Sequence, residues 1–240
     1  MNKIYLLGFI SCLSACHYPD KAAQLNQQPK LEQKQVIPKI ILQEKRLPSS
    51  YLQWANQAEH QQQIMAYKHF LKAQGVDSYV PDAEFFQTAR DWQKCNYAEY
   101  EVPPRELWRN IVPTLTILNQ FVEKKLIDQF TVTSVYRSYA LNQCAGGAGA
   151  SKHVFNAALD FRIGSEKPDP IEQIRIEKTK TKLCQFWREK GAALNMGLGV
   201  YASGQIHIDA AGYRTWGGDH RYTSSPCMNS FLIITMSKSQ

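Results

Sequence analysis

Residues 151–163 read SKHVFNAALDFRI, and this stretch decides the predicted fold. The chain first turns through a segment that carries His153 and then, from 158 to 163, has the residue types of a β-strand. Side chains alternate across a strand, so Asp160 and Arg162 share one face, and the apolar residues beside them share the other. We therefore predict a half-buried strand whose polar face presents a carboxylate close to an imidazole.

A β-hairpin is predicted downstream, at residues 197–209. In its second strand His207 and Asp209 lie on one face, whereas isoleucines occupy the other. If this strand pairs with the strand at 158–163, Asp160 and His207 converge on the polar side of the sheet.

Together with His153, these two residues form a set of two imidazoles and one carboxylate. Three protein ligands with an open fourth position are typical of a catalytic rather than a structural zinc site. His153, Asp160 and His207 are therefore candidate ligands for Zn²⁺. From the residues alone an alternative stays open, in which His153 is a hydrogen-bonded core residue and Asp160 an ordinary surface carboxylate.

Helical patterns surround these strands. Helices are expected at 51–74, at 81–92 and at 170–190. Another helix is expected after Pro103-Pro104, with a kink or split at Pro113. A further strand is expected at 129–136. Helices that gather before a small antiparallel sheet favour an α+β fold, in which the helices pack on the sheet.

Several motifs in chain order resemble those of the zinc D-Ala-D-Ala carboxypeptidase family. They are SVYRS at 134–138, Asn142, the glycine-rich loop at 144–149, S-x-H at 151–153, A-x-D at 158–160, G-L-G-x-Y at 197–201, QIHID at 205–209 and R-x-W at 214–216. The resemblance covers about residues 104–218. It implies a hedgehog/DD-peptidase-like fold and zinc-dependent hydrolysis of D-amino-acid peptide bonds in peptidoglycan stem peptides.

The resemblance also implies residues that bind the substrate. Arg137 is expected to hold a terminal carboxylate or to stabilise the oxyanion at the scissile carbonyl, because its planar fork of donors is always charged. A structural salt bridge is the alternative role for Arg137. Ser151, Tyr201 and Trp216 are the further substrate-binding candidates, although Trp216 and Tyr213 also suit simple packing.

The sequence departs from the family in two places. Asn156 stands where the family usually has Gly, but Asn tolerates a left-handed backbone. The general base usually comes from a Glu three residues, or a His two residues, before the last ligand. Gly204 and Gln205 occupy those positions, and neither accepts a proton at neutral pH. The substitutes are Asp209, which alternatively orients the ligand, and His220. A catalytically silent, zinc-containing peptidoglycan-binding protein is therefore the second hypothesis.

The N-terminus predicts export. Lys3 precedes a short apolar run at 4–13, too brief for a permanent transmembrane helix, and Leu13-Ser14-Ala15-Cys16 resembles a bacterial lipobox. We expect a signal peptide at 1–15 and a lipid on Cys16. An ordinary signal peptide with an incidental cysteine is the alternative.

The predicted organisation is a lipid-anchored flexible tether at 16–48, rich in Gln, Lys and Pro, followed by the catalytic-type domain at 49–240. His17 rather than Asp follows the anchor, which favours the outer membrane and the periplasmic side. The net charge of +7 favours anionic surroundings, but no basic stripe interleaved with aromatics indicates a nucleic-acid partner.

Four cysteines remain in the predicted domain: Cys95, Cys144, Cys184 and Cys227. An even number in an oxidising compartment predicts disulfides, for which three pairings exist. We favour Cys95–Cys144 with Cys184–Cys227. A four-cysteine zinc site is the rival interpretation, but the sequence has no C-x-x-C spacing.

Overall fold

A computed structural model of the chain describes residues 46–76 and 79–228. All of them lie within the unit Ile41–Gln240. The predicted signal peptide, the lipid site at Cys16 and nearly all of the predicted tether at 16–48 fall outside the described residues. In the part of the chain that is described, no helix has the length and apolarity that crossing a membrane requires.

Helices and strands alternate along the second half of the chain, whereas the first part is helical. The α-helices are α1 (Ser49–Ala55), α2 (Ala58–Ala73), α3 (Asp82–Phe85), α4 (Val112–Glu123), α5 (Tyr139–Cys144) and α6 (Pro170–Lys190), and 3₁₀ turns cover Arg105–Ile111, Lys152–Phe155 and Tyr222–Ser224. The strands are β1 (Phe130–Ser134), β2 (Ala158–Ile163), β3 (Gly197–Val200), β4 (Gln205–Asp209) and β5 (Arg214–Trp216).

The five strands form one sheet in the order β1-β2-β4-β3-β5, which confirms the predicted α+β class. The pairs β1–β2, β2–β4 and β3–β4 are antiparallel, as expected, but β5 runs parallel to β3. We did not predict β5, because three residues are too few to show an alternating pattern. Thr215 lies opposite Leu198 in this pair, and its hydroxyl donates to the carbonyl of Leu198 at 2.8 Å.

Helix α4 lies behind the sheet and contacts β4. Fully buried side chains of the helix and of the inner strands form this part of the core: Leu115, Leu118 and Phe121 from α4, and Leu159, Phe161, Leu198, Ile206 and Ile208 from the sheet. The alternation predicted for β2 and β4 is thus confirmed. Their apolar faces enter the core, which leaves their polar faces together on the opposite side.

Two predicted helices differ from those observed. The helix expected at 51–74 is divided by Gln57, whose extended backbone separates α1 from α2. The prediction of a helix at 81–92 is wrong, because only Asp82–Phe85 is helical. The hydroxyl of Thr88 donates to the carbonyl of Ala98 at 2.7 Å and so binds the segment across a loop rather than along a helix. The expected split at Pro113 is confirmed, since a 3₁₀ turn ends there and Pro113 lies in the first turn of α4.

The disulfides are Cys95–Cys144 and Cys184–Cys227, the pairing favoured from the sequence. This pairing rules out the rival four-cysteine zinc site, because all four sulfurs are bonded. Cys184 and Cys227 are fully buried and join α6 to the segment after β5. The other disulfide joins the loop after Thr88 to the end of α5.

Candidate active site

The register of β2 and β4 places Asp160 directly opposite His207, on the polar face of the sheet. Asp160 Oδ1 lies 2.8 Å from His207 Nδ1 and 3.1 Å from His153 Nε2. Only 3% of the His153 side chain, 17% of Asp160 and 12% of His207 are exposed. The three predicted ligands therefore meet in one largely buried cluster.

Asn156 makes this meeting geometrically feasible. His153 lies in the 3₁₀ turn Lys152–Phe155, and the chain leaves that turn through Asn156 in the left-handed conformation (φ 50°, ψ 43°). Asn is one of the few side chains that adopt this conformation at modest cost. Its amide Nδ2 also donates to Tyr67 Oη at 2.9 Å and to the Leu107 carbonyl at 3.1 Å. The turn expected from the family's Gly is thus retained and is anchored in addition.

The donor set fits a small divalent metal ion. His153 Nδ1 lies 2.6 Å from the carbonyl of Val135, so it carries the proton, and Nε2 keeps its lone pair. That Nε2 is buried and has no hydrogen-bond partner among the described residues. One ligand atom from each of His153, Asp160 and His207 lies within 4.8 Å of the others. Zn–N and Zn–O bonds of roughly 2.0–2.2 Å are compatible with these separations.

Asp209 lies behind His207 rather than beside the cluster's open side. Its Oδ2 is 3.0 Å from His207 Nε2, while the Arg214 guanidinium at 2.6 Å and the Ala211 amide at 2.8 Å also donate to its carboxylate. Asp209 has no exposed surface. A Cβ on Gly197 would lie 2.6 Å from Asp209 Oδ1, so this carboxylate requires a glycine opposite it. These contacts support the second role considered for Asp209, that of orienting a metal ligand, because they direct His207 Nδ1 towards Asp160.

The electrostatics of the cluster give Asp160 and His153 the protonation states that metal ligands need, whereas His207 must lose a proton. Burial raises the pKa of the Asp160 carboxyl, but His153 and His207 outweigh it and hold that pKa well below its usual range. Burial, with the charge of Arg137, lowers the pKa of His153. Burial also lowers the pKa of His207, yet the hydrogen bonds that its ring donates to the carboxylates of Asp160 and Asp209 raise it to about 9. A metal ion would therefore displace a proton from His207.

Arg137 contacts the cluster directly. Its Nη2 lies 2.6 Å from Asp160 Oδ2, and its Nε donates to Ser134 Oγ at 2.8 Å. The Ser134 hydroxyl in turn donates to the carbonyl of Thr88. The salt bridge considered for Arg137 thus exists. Arg137 also lines the cavity, and its guanidinium has further N–H donors that the salt bridge does not use.

A cavity of about 660 Å³ opens over the cluster. All the substrate-binding candidates line it (Arg137, Ser151, Tyr201 and Trp216), as does His220. Tyr213 does not; it stacks on Trp187 with ring centroids 4.5 Å apart, which is the packing role considered for it. Sequence reasoning missed other lining residues, among them Arg90, Lys152, Ser203, Arg214 and Tyr222.

The cavity lining is cationic. It contains Arg90, Arg137, Lys152 and Arg214, against Asp160 as the carboxylate. Arg137 pairs with Asp160, and Arg214 pairs with Asp209. Arg90 is exposed and forms no ion pair within the described part of the chain. It lies two residues beyond Thr88, which is hydrogen-bonded through Ser134 to Arg137, so tertiary contacts rather than a local motif bring it here.

The two positions that lack the family's usual base have different surroundings. Gly204 has φ +81°, and a Cβ there would lie 2.6 Å from the carbonyl oxygen of Ile163. A Glu therefore does not fit this turn. Gln205 lies on the same strand face as His207 and lines the cavity, and its Nε2 donates to Thr133 Oγ1 at 2.6 Å. An amide in that place forms hydrogen bonds but does not exchange protons.

The α+β fold and the buried His–Asp–His cluster define a domain with a candidate metal centre. The family model for peptidase M15 matches residues 79–209, which is more than half of the chain. The chain therefore belongs to the peptidase M15 family, and the matched segment contains all three candidate ligands. Neither the curated proteins nor the solved structures gave a significant match.

Proposed function

We propose that the protein is a zinc-dependent peptidase that hydrolyses D-amino-acid peptide bonds in peptidoglycan stem peptides, as a carboxypeptidase or an endopeptidase. The zinc assignment rests on the buried Nε2 of His153, which has no hydrogen-bond partner among the described residues and lies 3.1 Å from Asp160 Oδ1. The cationic cavity supports the substrate class, because stem peptides carry free carboxylates and a cleft of one charge attracts ligands of the opposite charge.

His153, Asp160 and His207 would hold the metal, and Asp209 keeps His207 in the required tautomer. Bound zinc supplies a Lewis acid and lowers the pKa of a bound water to about 7. Arg137, on the rim of the cluster, supplies charged donors to the substrate carboxylate or to the scissile carbonyl.

We assign the proton transfer to His220 rather than to Asp209. Asp209 is fully buried and is occupied by three donors, so it has no access to a water in the cavity. His220 is exposed and lines the cavity, where its ring lies 6.1 Å from that of Tyr201. Imidazole is the side chain that most readily exchanges protons near neutral pH. A His220→Ala variant that keeps zinc and full turnover would remove this assignment.

A second candidate function is supported by Gly204 and Gln205. The hairpin lacks a proton acceptor at both positions, as a protein that binds stem peptides without cleaving them would. The cluster and the cationic cavity serve binding as well as hydrolysis.

The decisive experiment incubates the zinc-loaded chain, without its first 45 residues, with purified muropeptides and follows them by mass spectrometry. Hydrolysis that is abolished by a chelator and by His207→Ala supports the peptidase. Bound zinc with muropeptide binding but no turnover supports the second function. A purified wild-type protein with no zinc in elemental analysis contradicts the metal assignment in both.

We also propose that Cys16 carries lipid and anchors the protein to the outer membrane, facing the periplasm. The lipobox-like Leu13 to Cys16 supports this proposal, and each buried methylene of an acyl chain contributes about 0.8 kcal/mol to membrane binding. Metabolic labelling with a clickable fatty acid tests it, with Cys12→Ala as the matched control. Labelling that persists in Cys16→Ala would contradict the proposal.

A further inference from the structure

The phenol of Tyr201 is held in an unusual hydrogen-bonding state. Trp216 Nε1 lies 3.0 Å from Tyr201 Oη. An indole N–H only donates, so the phenol oxygen is the acceptor in this bond. Its own proton must therefore go elsewhere, and among the described residues Oη has no second partner. Tyr201 thus keeps an uncommitted O–H donor.

The uncommitted donor belongs to the wall of the cavity. Tyr201 lines the cavity together with Asp160 and His207. Burial raises the pKa of the Tyr201 phenol, and the hydrogen bond from Trp216 lowers it in part. The charge of Asp160 raises this pKa further, whereas the charge of Arg137 lowers it. The phenol is thus within electrostatic reach of the cluster and retains its proton at physiological pH.

The neighbouring strand fixes the indole that imposes this state. The Trp216 ring lies against the backbone of Gly199, where a Cβ would be 2.7 Å from Nε1. On another side the Arg214 guanidinium lies 5.1 Å from the ring centroid. The ring centroid of His207 is 5.2 Å from that of Trp216. Trp216 is therefore held between the strand backbone and the cluster, and its N–H points at Tyr201.

We propose that Tyr201 is a catalytic residue that donates its hydroxyl to the scissile carbonyl oxygen as negative charge develops there, and that Trp216 is the positioning residue that leaves this donor free. This inference rests on the proposed peptidase function. No proton is transferred in the step, because the neutral phenol stabilises the oxyanion through a hydrogen bond. A donor that is already oriented contributes more in such a site than a mobile one.

The test compares Tyr201→Phe, Trp216→Phe and the double variant, all in the full-length protein in detergent. Tyr213→Phe is the matched control, because it removes a phenol hydroxyl from a ring that packs on Trp187 outside the cavity. Zinc content, kcat and KM on a stem peptide, and calorimetric binding of a zinc-directed phosphinate analogue of that peptide are measured for each.

We expect Tyr201→Phe to lower kcat by about 100-fold with KM and zinc content unchanged, the effect found for the loss of one oxyanion donor. Its affinity for the phosphinate should fall, while its affinity for the substrate peptide stays constant. Trp216→Phe should give a smaller loss of kcat, and the double variant should be no worse than Tyr201→Phe alone, because Trp216 acts through Tyr201. The control should match the wild type.

Unchanged kcat in Tyr201→Phe, a loss confined to KM, or additive losses in the double variant would overturn the inference. Binding of the phosphinate distinguishes a wrong role for Tyr201 from a wrong peptidase function. If the wild type binds the phosphinate but does not turn over, peptidase activity fails, and the affinity ratio of wild type to Tyr201→Phe still decides the role of Tyr201. If the wild type neither turns over nor binds the phosphinate, both proposals are wrong.

Discussion

Replacing Asp209 by Asn isolates the contact that orients His207. The change keeps the size of the side chain but replaces a carboxylate, which accepts from His207 Nε2 at 3.0 Å, from Arg214 at 2.6 Å and from the Ala211 amide at 2.8 Å, with a carboxamide whose single oxygen cannot satisfy all three donors. If the amide nitrogen faces the imidazole, Nε2 must become the acceptor. The proton then moves to Nδ1, which is the nitrogen that faces Asp160.

The expected loss of zinc affinity follows from the role of residues that orient a metal-bound His without touching the metal. Loss of the partner that orients a metal-bound His costs roughly 10- to 100-fold in metal affinity. This corresponds to about 1.4–2.8 kcal/mol, because each factor of ten is about 1.4 kcal/mol. We expect the upper part of the range, since Asp209 is fully buried and its Arg214 partner also loses its anion.

Competition with a chromogenic chelator measures the zinc affinity of Asp209→Asn against the wild type. Asp128→Asn is the control, because Asp128 lies in an exposed loop and, within the described part of the chain, accepts only from the neighbouring Gln129 amide. If Asp209 instead acts as the general base, Asp209→Asn loses turnover while its zinc affinity stays at the wild-type value. That result would refute the orienting role and the assignment of the proton transfer to His220.

Three further changes have outcomes fixed by the structure. Gly204→Glu should not supply a base. It should lower the free energy of unfolding by about 1–3 kcal/mol in thermal melts, because residue 204 has a left-handed backbone and the Ile163 carbonyl lies close to the added side chain. Replacing Cys184 and Cys227 together by Ala should cost about 4 kcal/mol in denaturant titrations, given the 43-residue sequence separation, with zinc binding retained. Asn156→Ala should be less stable than Asn156→Gly by about 1–2 kcal/mol, because only Ala strains the left-handed turn; equal stabilities would contradict this reasoning.

The strands that build the cluster were predictable because their information is local. Alternation in β2 and β4 separates core-facing from site-facing side chains, so Asp160 and His207 share the site-facing side once the two strands pair. Pro113 likewise marks a helix start by its own geometry. His153 joins them through a turn whose left-handed residue, Asn156, was recognisable from its residue type.

The features that sequence reasoning missed depend on distant partners. Helix α3 ends early, and the side chain of its Glu84 accepts from the Val132 amide of β1 at 2.7 Å. Arg90 reaches the cavity because the neighbouring Thr88 carbonyl binds Ser134 and because Cys95 is bonded to Cys144. Such contacts leave no periodicity in the sequence, so a window of local residues does not contain them.

The turn before β4 has no room for a proton acceptor at Gly204, and the fold places His220 on the wall of the same cavity. The turn before β4 requires a positive φ at Gly204, and the Ile163 carbonyl fills the space that a side chain there would need. The proton acceptor that the proposed hydrolysis requires would therefore come from another segment that reaches the cavity. The segment after β5 does so: His220 adopts a left-handed backbone (φ 61°), and its amide bonds to the Gly217 carbonyl at 3.1 Å. In the proposed mechanism, His220 substitutes for the side chain that the turn excludes, and it lies on the cavity wall that also carries Trp216.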